Sequence, residues 1–159
     1  DVRNISKKYV AFSKSGSKRI NKSLKSILTQ AEEYGAGEII INSIDKNGSK
    51  TGYDNNLFDY VKNNVSIPVI GCGGVGIADH FLSGMKVGLS GLAAGNFFHF
   101  TEHSVIQLKR YLVKNKHNIR LDTYADYNDH EFSIDCRLSV LHDKTLDSLR
   151  YDYIPQEKI

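Results

Sequence analysis

The segment Pro68-Val69-Ile70-Gly71-Cys72-Gly73-Gly74-Val75-Gly76 constrains this chain more than any other. An apolar run enters a glycine cluster, and a helical pattern follows. With no Cβ in the way, glycines at a strand end let backbone N–H groups come close to a ligand. The helix that follows adds its unsatisfied N–H groups and the positive end of its dipole, which suits a phosphate. Two further runs repeat the arrangement. Gly37-Glu38-Ile39-Ile40-Ile41-Asn42-Ser43-Ile44-Asp45 is an apolar run with a polar end, and Gly91-Leu92-Ala93-Ala94-Gly95-Asn96 is a weaker one. Strands ending this way, in alternation with helices, predict part of a (β/α) barrel with its active face at the strand C-termini.

Helical spacing supports the alternation. Leu24, Ile27, Leu28, Ala31 and Tyr34 share one face, and Gly35 is placed to end that helix. Asp54 is placed to cap a helix carrying Leu57, Phe58 and Val61. Phe81, Leu82 and Met85 mark the next helix. Val105, Leu108 and Leu112 mark the last, with Lys109, Arg110 and Lys114 towards its negative end. Residues 9–12 read as a short strand, with a turn near Ser15-Gly16-Ser17. Three βα units are legible, plus the helix of a fourth whose strand would precede Asp1. A closed barrel takes eight strands and about 250 residues, so this α/β chain reads as half of a (β/α)8 TIM barrel over residues 1–121. Composition shifts after Leu121. Residues 122–159 are rich in Asp, Tyr and His, with strand patterns at 131–134 and 150–154, and read as a C-terminal extension packed on the barrel. The chain opens on Asp1 rather than Met, as a piece of a longer protein would.

The composition narrows the class. At 159 residues, 40% hydrophobic and 25% charged, the chain suits one globular domain. A net charge of +3 helps draw an anionic substrate but falls short of a nucleic-acid footprint. The lysines and arginines before residue 25 read as a solvated face. No apolar run has transmembrane length and no signal peptide is evident, so neither membrane nor nucleic acid is an expected partner. Cys72 and Cys136 lack metal-ligand spacing and read as free thiols of a cytoplasmic protein. His99 and His103 share an i, i+4 spacing without a third ligand, so no metal site is expected.

Taken in order, several motifs resemble the cyclase subunit of imidazole glycerol phosphate synthase. They are Gly35-Ala36-Gly37-Glu38, then Ser43-Ile44-Asp45-Lys46-Asn47-Gly48, then Gly52-Tyr53-Asp54. Pro68-Val69-Ile70 with Gly73-Gly74-Val75-Gly76, and Phe98-His99-Phe100, complete the series. The likeness covers the C-terminal half of that family's barrel. It implies a lyase of histidine biosynthesis that needs no cofactor. Ammonia from a glutamine amidotransferase (glutaminase) subunit attacks a phosphorylated ribulosyl aminoimidazole. The adduct cyclises and splits into imidazole glycerol phosphate and a carboxamide ribotide. Two aspartates, one in each half-barrel, act as general acid and base. Asp1-Val2-Arg3 fits the family pattern of Asp with a basic residue two positions on, which makes Asp1 the carried-over catalytic residue. Its counterpart belongs to an N-terminal half absent from this sequence.

The resemblance also implies binding roles. Asp45, Asn47, Gly48 and Cys72 are expected to line the substrate site, and Gly73, Gly74, Gly95 and Asn96 to offer backbone N–H groups to a phosphate. Glu38, at the opposite face, is expected in a charged ring that gates the ammonia channel. Asn47, Cys72 and Asn42 stand where the family usually has Asp, Ser and Thr. These departures, with the tail, resemble a divergent branch found with bacterial surface-polysaccharide (O-antigen) biosynthesis. That branch implies ammonia-dependent conversion of a sugar acetamido group to an acetamidino group. A third reading, of another class, is a phosphate-binding half-barrel without turnover that self-associates to hide its open sheet edges.

Overall fold

A computed structural model describes residues 1–128 and 130–148. The strand pattern at 150–154 lies outside the described residues. Two compact units are present, Asp1–Ser104 and Val105–Ile159.

The first unit opens with an antiparallel hairpin. Strands β1 (Val2–Ile5) and β2 (Lys8–Ser13) pair with Ile5 opposite Lys8, and β3 (Lys18–Arg19) adds to β2. Only β2 and its following turn are foreshadowed in the sequence. The two-residue β1–β2 loop is Ser6-Lys7, and both residues take positive φ, 49° and 64°. That geometry matches the twist of a hairpin but normally calls for Asn or Gly, so its usual signal is missing. Helix α1 (Leu24–Glu33) follows, capped by the Ser23 hydroxyl accepting from Ser26 N–H and ended at Gly35, φ +82°. Leu24 and Leu28 are buried, but Tyr34 is 83% exposed. It caps the helix from outside and so leaves the apolar face that its spacing suggests.

Strands β4 (Ile39–Asn42), β5 (Val69–Cys72) and β6 (Gly91–Ala93) form a parallel sheet in that order, with α2 (Asn55–Lys62) and α3 (Ala78–Val87) in the crossovers. Asp54 caps α2 as its position predicts, accepting from Leu57 N–H at 3.1 Å. Alternation along the strands divides the sheet into two faces. On one face a Cβ at Gly71 would lie 2.5 Å from the Phe58 ring and 2.7 Å from Leu89. Phe58, Leu57 and Val61 of α2 are fully buried, and bare glycine backbone makes room for the largest of them. On the other face the register places Ile40 beside Ile70 and Asn42 beside Cys72. Ile40 there is 62% exposed. The start of β1 extends this sheet: Val2 forms a parallel bridge with Ser43, and Ile44 N–H donates to Val2 C=O at 2.8 Å. The short helix α4 (Asn96–Phe100) follows β6, and its Phe97 and Phe98 pack on Phe81 of α3.

The second unit runs from α5 (Ser104–Lys114) through an irregular segment to α6 (Asp143–Ser148). Ile106, Leu108 and Leu112 are buried, whereas Val105 is 49% exposed, so the apolar stripe begins one residue later than its spacing suggests. Lys114 Nζ donates to Ile134 C=O, and the Arg110 guanidinium stacks 3.7 Å from the Phe132 ring centre. Residues 131–134 form a single bridge, Phe132 to Leu138, rather than a strand. A tight turn ending at Cys136, φ 61°, reverses the chain before a ladder can extend. Among the described residues no helix is long and apolar enough to cross a membrane.

One carboxylate ties the bottom of the sheet together. Glu32 Oε1, at the end of α1, accepts from Ser66 N–H at 2.6 Å, the Ser66 hydroxyl at 2.7 Å and Ile67 N–H at 3.3 Å, just ahead of β5. The Ser66 hydroxyl and then the Ser66 and Ile67 amides hold its pKa below the ordinary 4.5, against a smaller opposing effect of desolvation. A carboxyl depressed in the folded state stabilises above its unfolded pKa, and that contribution is lost as pH falls through the folded value. Urea unfolding of the wild type and Glu32→Gln from about pH 7 to about pH 3 should therefore show a wild-type advantage at neutral pH that shrinks below pH 4.5. An advantage that does not vary with pH would refute this role.

Candidate functional site

The C-terminal ends of the parallel strands carry the polar residues. Strand pairing aligns Asn42 with Cys72 and Cys72 with Ala93, and the Val2–Ser43 bridge brings Asp1 beside Asn42. Asn42 Nδ2 donates to Asp1 Oδ1 at 2.8 Å. Three of these residues, Asp1, Asn42 and Cys72, thus form a polar row across three neighbouring strand ends. The Asn42 amide is held in one sense, because a flipped amide would turn its oxygen on the carboxylate. Its Oδ1 is buried and finds no hydrogen-bond partner among the described residues.

The glycine turn lies next to this row. A Cβ at Gly73 (φ +104°) would sit 2.9 Å from Ser43 O and 3.2 Å from Asn42 Oδ1. Gly74 (φ +101°) has its Cα against Gly52, and Gly52 N–H donates to Gly74 C=O at 2.8 Å. Both glycines are needed twice over, for left-handed backbone and for close approach. Gly76 N–H donates to His80 Nδ1 at 3.1 Å, which fixes the turn to the first residues of α3. The turn therefore packs tightly against the β4–α2 loop, and Lys46 and Lys50 of that loop touch Gly74 and Gly76 respectively.

Tyr53 braces the assembly from beneath. It is buried, its hydroxyl donates to Ala93 C=O at 3.1 Å, and its ring packs on Phe58 and Phe81. Burial, with a smaller effect of the nearby Cys72, pushes its phenol pKa far above the ordinary 10.0. The hydroxyl stays a neutral donor that holds the β4–α2 loop to the end of β6. Gly95 and Asn96 open α4 just after β6, and no atom lies within 4 Å of a Cβ built on Gly95.

The remaining expected site residues fall in different places. Asp45 is exposed, accepts from Asn4 N–H at 2.7 Å and pairs with Arg3 Nε at 3.5 Å. Its carboxylate thereby ties the end of β4 to β1. Asn47 and Gly48 continue the same loop, with Asn47 N–H donating to Ser43 C=O. Glu38 precedes β4, at the opposite end of the strands from the row. Lys50, His80 and Tyr53 are neighbours of the site that sequence reasoning did not single out. The sequence signal for Tyr53 was its place between Gly52 and the cap residue Asp54. Lys50 gave none, since its proximity to Gly76 arises only from folding, whereas His80 reaches Gly76 locally, from four residues on at the start of α3. Among the described residues no cluster of three or more His, Cys, Asp or Glu could hold a metal ion.

A parallel α/β sheet with polar groups and a glycine turn gathered at its strand C-termini is the arrangement of a (β/α) barrel enzyme's working face. The family described as histidine biosynthesis protein matches residues 1–104, and the chain belongs to that family. This bears out the resemblance to the cyclase subunit of imidazole glycerol phosphate synthase. The "Imidazole glycerol phosphate synthase subunit HisF" of Thermotoga sp. is 36% identical over 122 residues, covering 77% of this chain and 48% of the relative. The protein of that name from Sulfolobus acidocaldarius is 38% identical over 121 residues, 76% and 48% respectively. That of Hydrogenobaculum sp. is 42% identical over 106 residues, 65% and 42%. The chain spans about half the length of the curated relatives it matches.

Cys72 tests whether the row is reactive by itself. Burial pushes its thiol above the ordinary 9.0, partly offset by the Gly73 N–H donated to the sulfur. The thiolate is the nucleophile. Alkylation by iodoacetamide near neutral pH should therefore be several-fold slower than that of an unstructured thiol, and should keep rising beyond pH 9.0. Rapid neutral modification would contradict this and mark Cys72 as activated.

Proposed function

We propose that this chain is the C-terminal half of a cyclase-type (β/α)8 barrel, residues 1–121, with residues 122–159 as an extension. On this reading it acts with an N-terminal half to make imidazole glycerol phosphate. The observation that carries the proposal is the Asn42-held carboxylate of Asp1, beside a glycine turn on the face that bears exposed Ile40. A general acid–base needs its carboxyl fixed in direction, and the Asn42 amide supplies that. The turn and the start of α4 offer backbone N–H groups to one phosphate of the substrate. Asp1 moves protons as ammonia adds to the ribulosyl carbon and the adduct cyclises and splits, with a second aspartate opposite it. Ammonia arrives from a glutaminase subunit at the other end of the barrel, where Glu38 lies. Asp45, Asn47 and Gly48 border the substrate, Asp45 by holding β1 and β4 in register.

Asn42, Asn47 and Cys72, in place of Thr, Asp and Ser, favour a second reading for the same site. It is ammonia-dependent amidination of a sugar acetamido group, and it shares the phosphate subsite and the partner class.

The test joins the chain to an N-terminal half-barrel and supplies free ammonia at high pH in place of the glutaminase. Asp1→Asn should lower turnover by at least about 100-fold, the usual scale of general acid–base catalysis, with phosphate-ester affinity nearly unchanged. Turnover close to wild type would remove Asp1 from the chemistry.

A further inference from the structure

Lys50 touches both the glycine turn and the last residue of α4. A Cβ built on Gly76 would fall 2.7 Å from Lys50 Cβ and 3.0 Å from Lys50 O, so the Lys50 backbone is seated directly on the turn. Its φ is +58°, a left-handed conformation that disfavours any side chain with a Cβ. Glycine would relieve that strain, and the same loop uses glycine at Gly48 and Gly52. At its other end the Lys50 ammonium stands 5.4 Å from the ring centre of Phe100, the last residue of α4. Phe100 is itself 70% exposed, so the ammonium rests on an aromatic face in water, a weak and reversible engagement. One side chain therefore runs from the glycine turn to the C-terminal end of α4, away from the Gly95-Asn96 end whose amides the proposed function gives to a phosphate.

The neighbouring charges are otherwise occupied or differently placed. Lys46 Nζ donates to Thr51 Oγ1 at 3.2 Å. His80 spends Nδ1 on Gly76 N–H. Asp45 is held by Arg3 and Asn4. Asp79, in the first turn of α3, has a partner of its own.

We propose that Lys50 is the anion clamp of this site: its ammonium leaves the Phe100 ring and closes over a phosphate held by the turn. The proposal rests on the phosphate reading above and adds a charged ligand to it. It accounts for lysine at a strained position where glycine would be easier. A lysine rooted on the turn can reach an anion bound there by side-chain rotation alone, and a charge-assisted hydrogen bond adds to the neutral amide donors.

The experiment is a titration of the 159-residue chain with inorganic phosphate, followed by amide and side-chain NMR. In the wild type, the Gly74, Gly95 and Asn96 amides should shift while Gly37 does not. The Lys50 ε-methylene should lose its ring-current shift from Phe100 over the same titration. Lys50→Gly relaxes the backbone and removes the charge, and should weaken phosphate binding about tenfold or more, the scale of a hydrogen bond to a charged group. Lys50→Arg should stay within about threefold. Lys50→Asn, which also tolerates left-handed backbone, should follow the Gly variant and provides the same reading if that variant is poorly folded. Binding by the Gly and Asn variants within twofold of wild type would overturn the clamp and leave the phosphate reading standing. Wild-type amides unmoved by phosphate would overturn both.

Discussion

The parallel sheet has two unequal faces, and the rest of the first unit depends on that inequality. One face is closed by α2, whose Phe58 packs onto bare Gly71 backbone. The other carries Ile40 and Ile70 below and Asn42 and Cys72 above, with Ile40 largely exposed. An apolar face of β-branched side chains in contact with water is unfavourable by about 25 cal/mol per Å². In a closed barrel this face is the packed interior. The polar row sits at the upper rim of this face, where the Asn42 amide donates to Asp1 while its own oxygen stays buried and unpaired among the described residues.

The rim is organised by close backbone contact more than by side-chain bonding. Gly73 approaches Ser43 and Asn42, Gly74 approaches Gly52, and Gly76 approaches Lys50. Each contact excludes a Cβ, so the turn, the loop after β4 and the Asp1–Asn42 pair are mechanically linked. A displaced Gly73 would press on Asn42 Oδ1 and through it on Asp1. In this way the glycine turn and the Asp1 carboxylate share one support. Tyr53 completes it from below by fastening the loop to β6.

Much of this was legible in the sequence, for physical reasons. Three β-branched residues in a row at Ile39-Ile40-Ile41 mark a parallel strand, and β4 is one, although Ile40 is largely exposed where burial on both faces is the usual reading of such a run. A carboxylate before Leu57-Phe58 marks a helix start, and Asp54 is seen capping it. Glycine pairs after an apolar run mark a turn with close approach, and Gly73 and Gly74 make one. What escaped was structure that carries no residue-type signal. The Ser6-Lys7 hairpin turn uses positive φ without Asn or Gly, and Lys50 does the same. On α5 the spacing assigns Val105 to the apolar face with Leu108 and Leu112, yet Ile106 is buried instead. The Phe132–Leu138 bridge replaced a strand because a tight turn follows it at once. Lys50 joins the site through folding of the β4–α2 loop onto Gly76, which no local pattern announces.

The sheet face bearing Ile40 is apolar and open, as a barrel interior without its second half would be, and mass in solution reports whether other copies cover it. Sedimentation equilibrium of the 159-residue chain over a wide concentration range should give a mass rising above 17.9 kDa, as copies cover one another's open faces and edges. Ile40→Lys should move that rise to higher concentration. A mass of 17.9 kDa at every concentration, for wild type and variant alike, would contradict the half-barrel account.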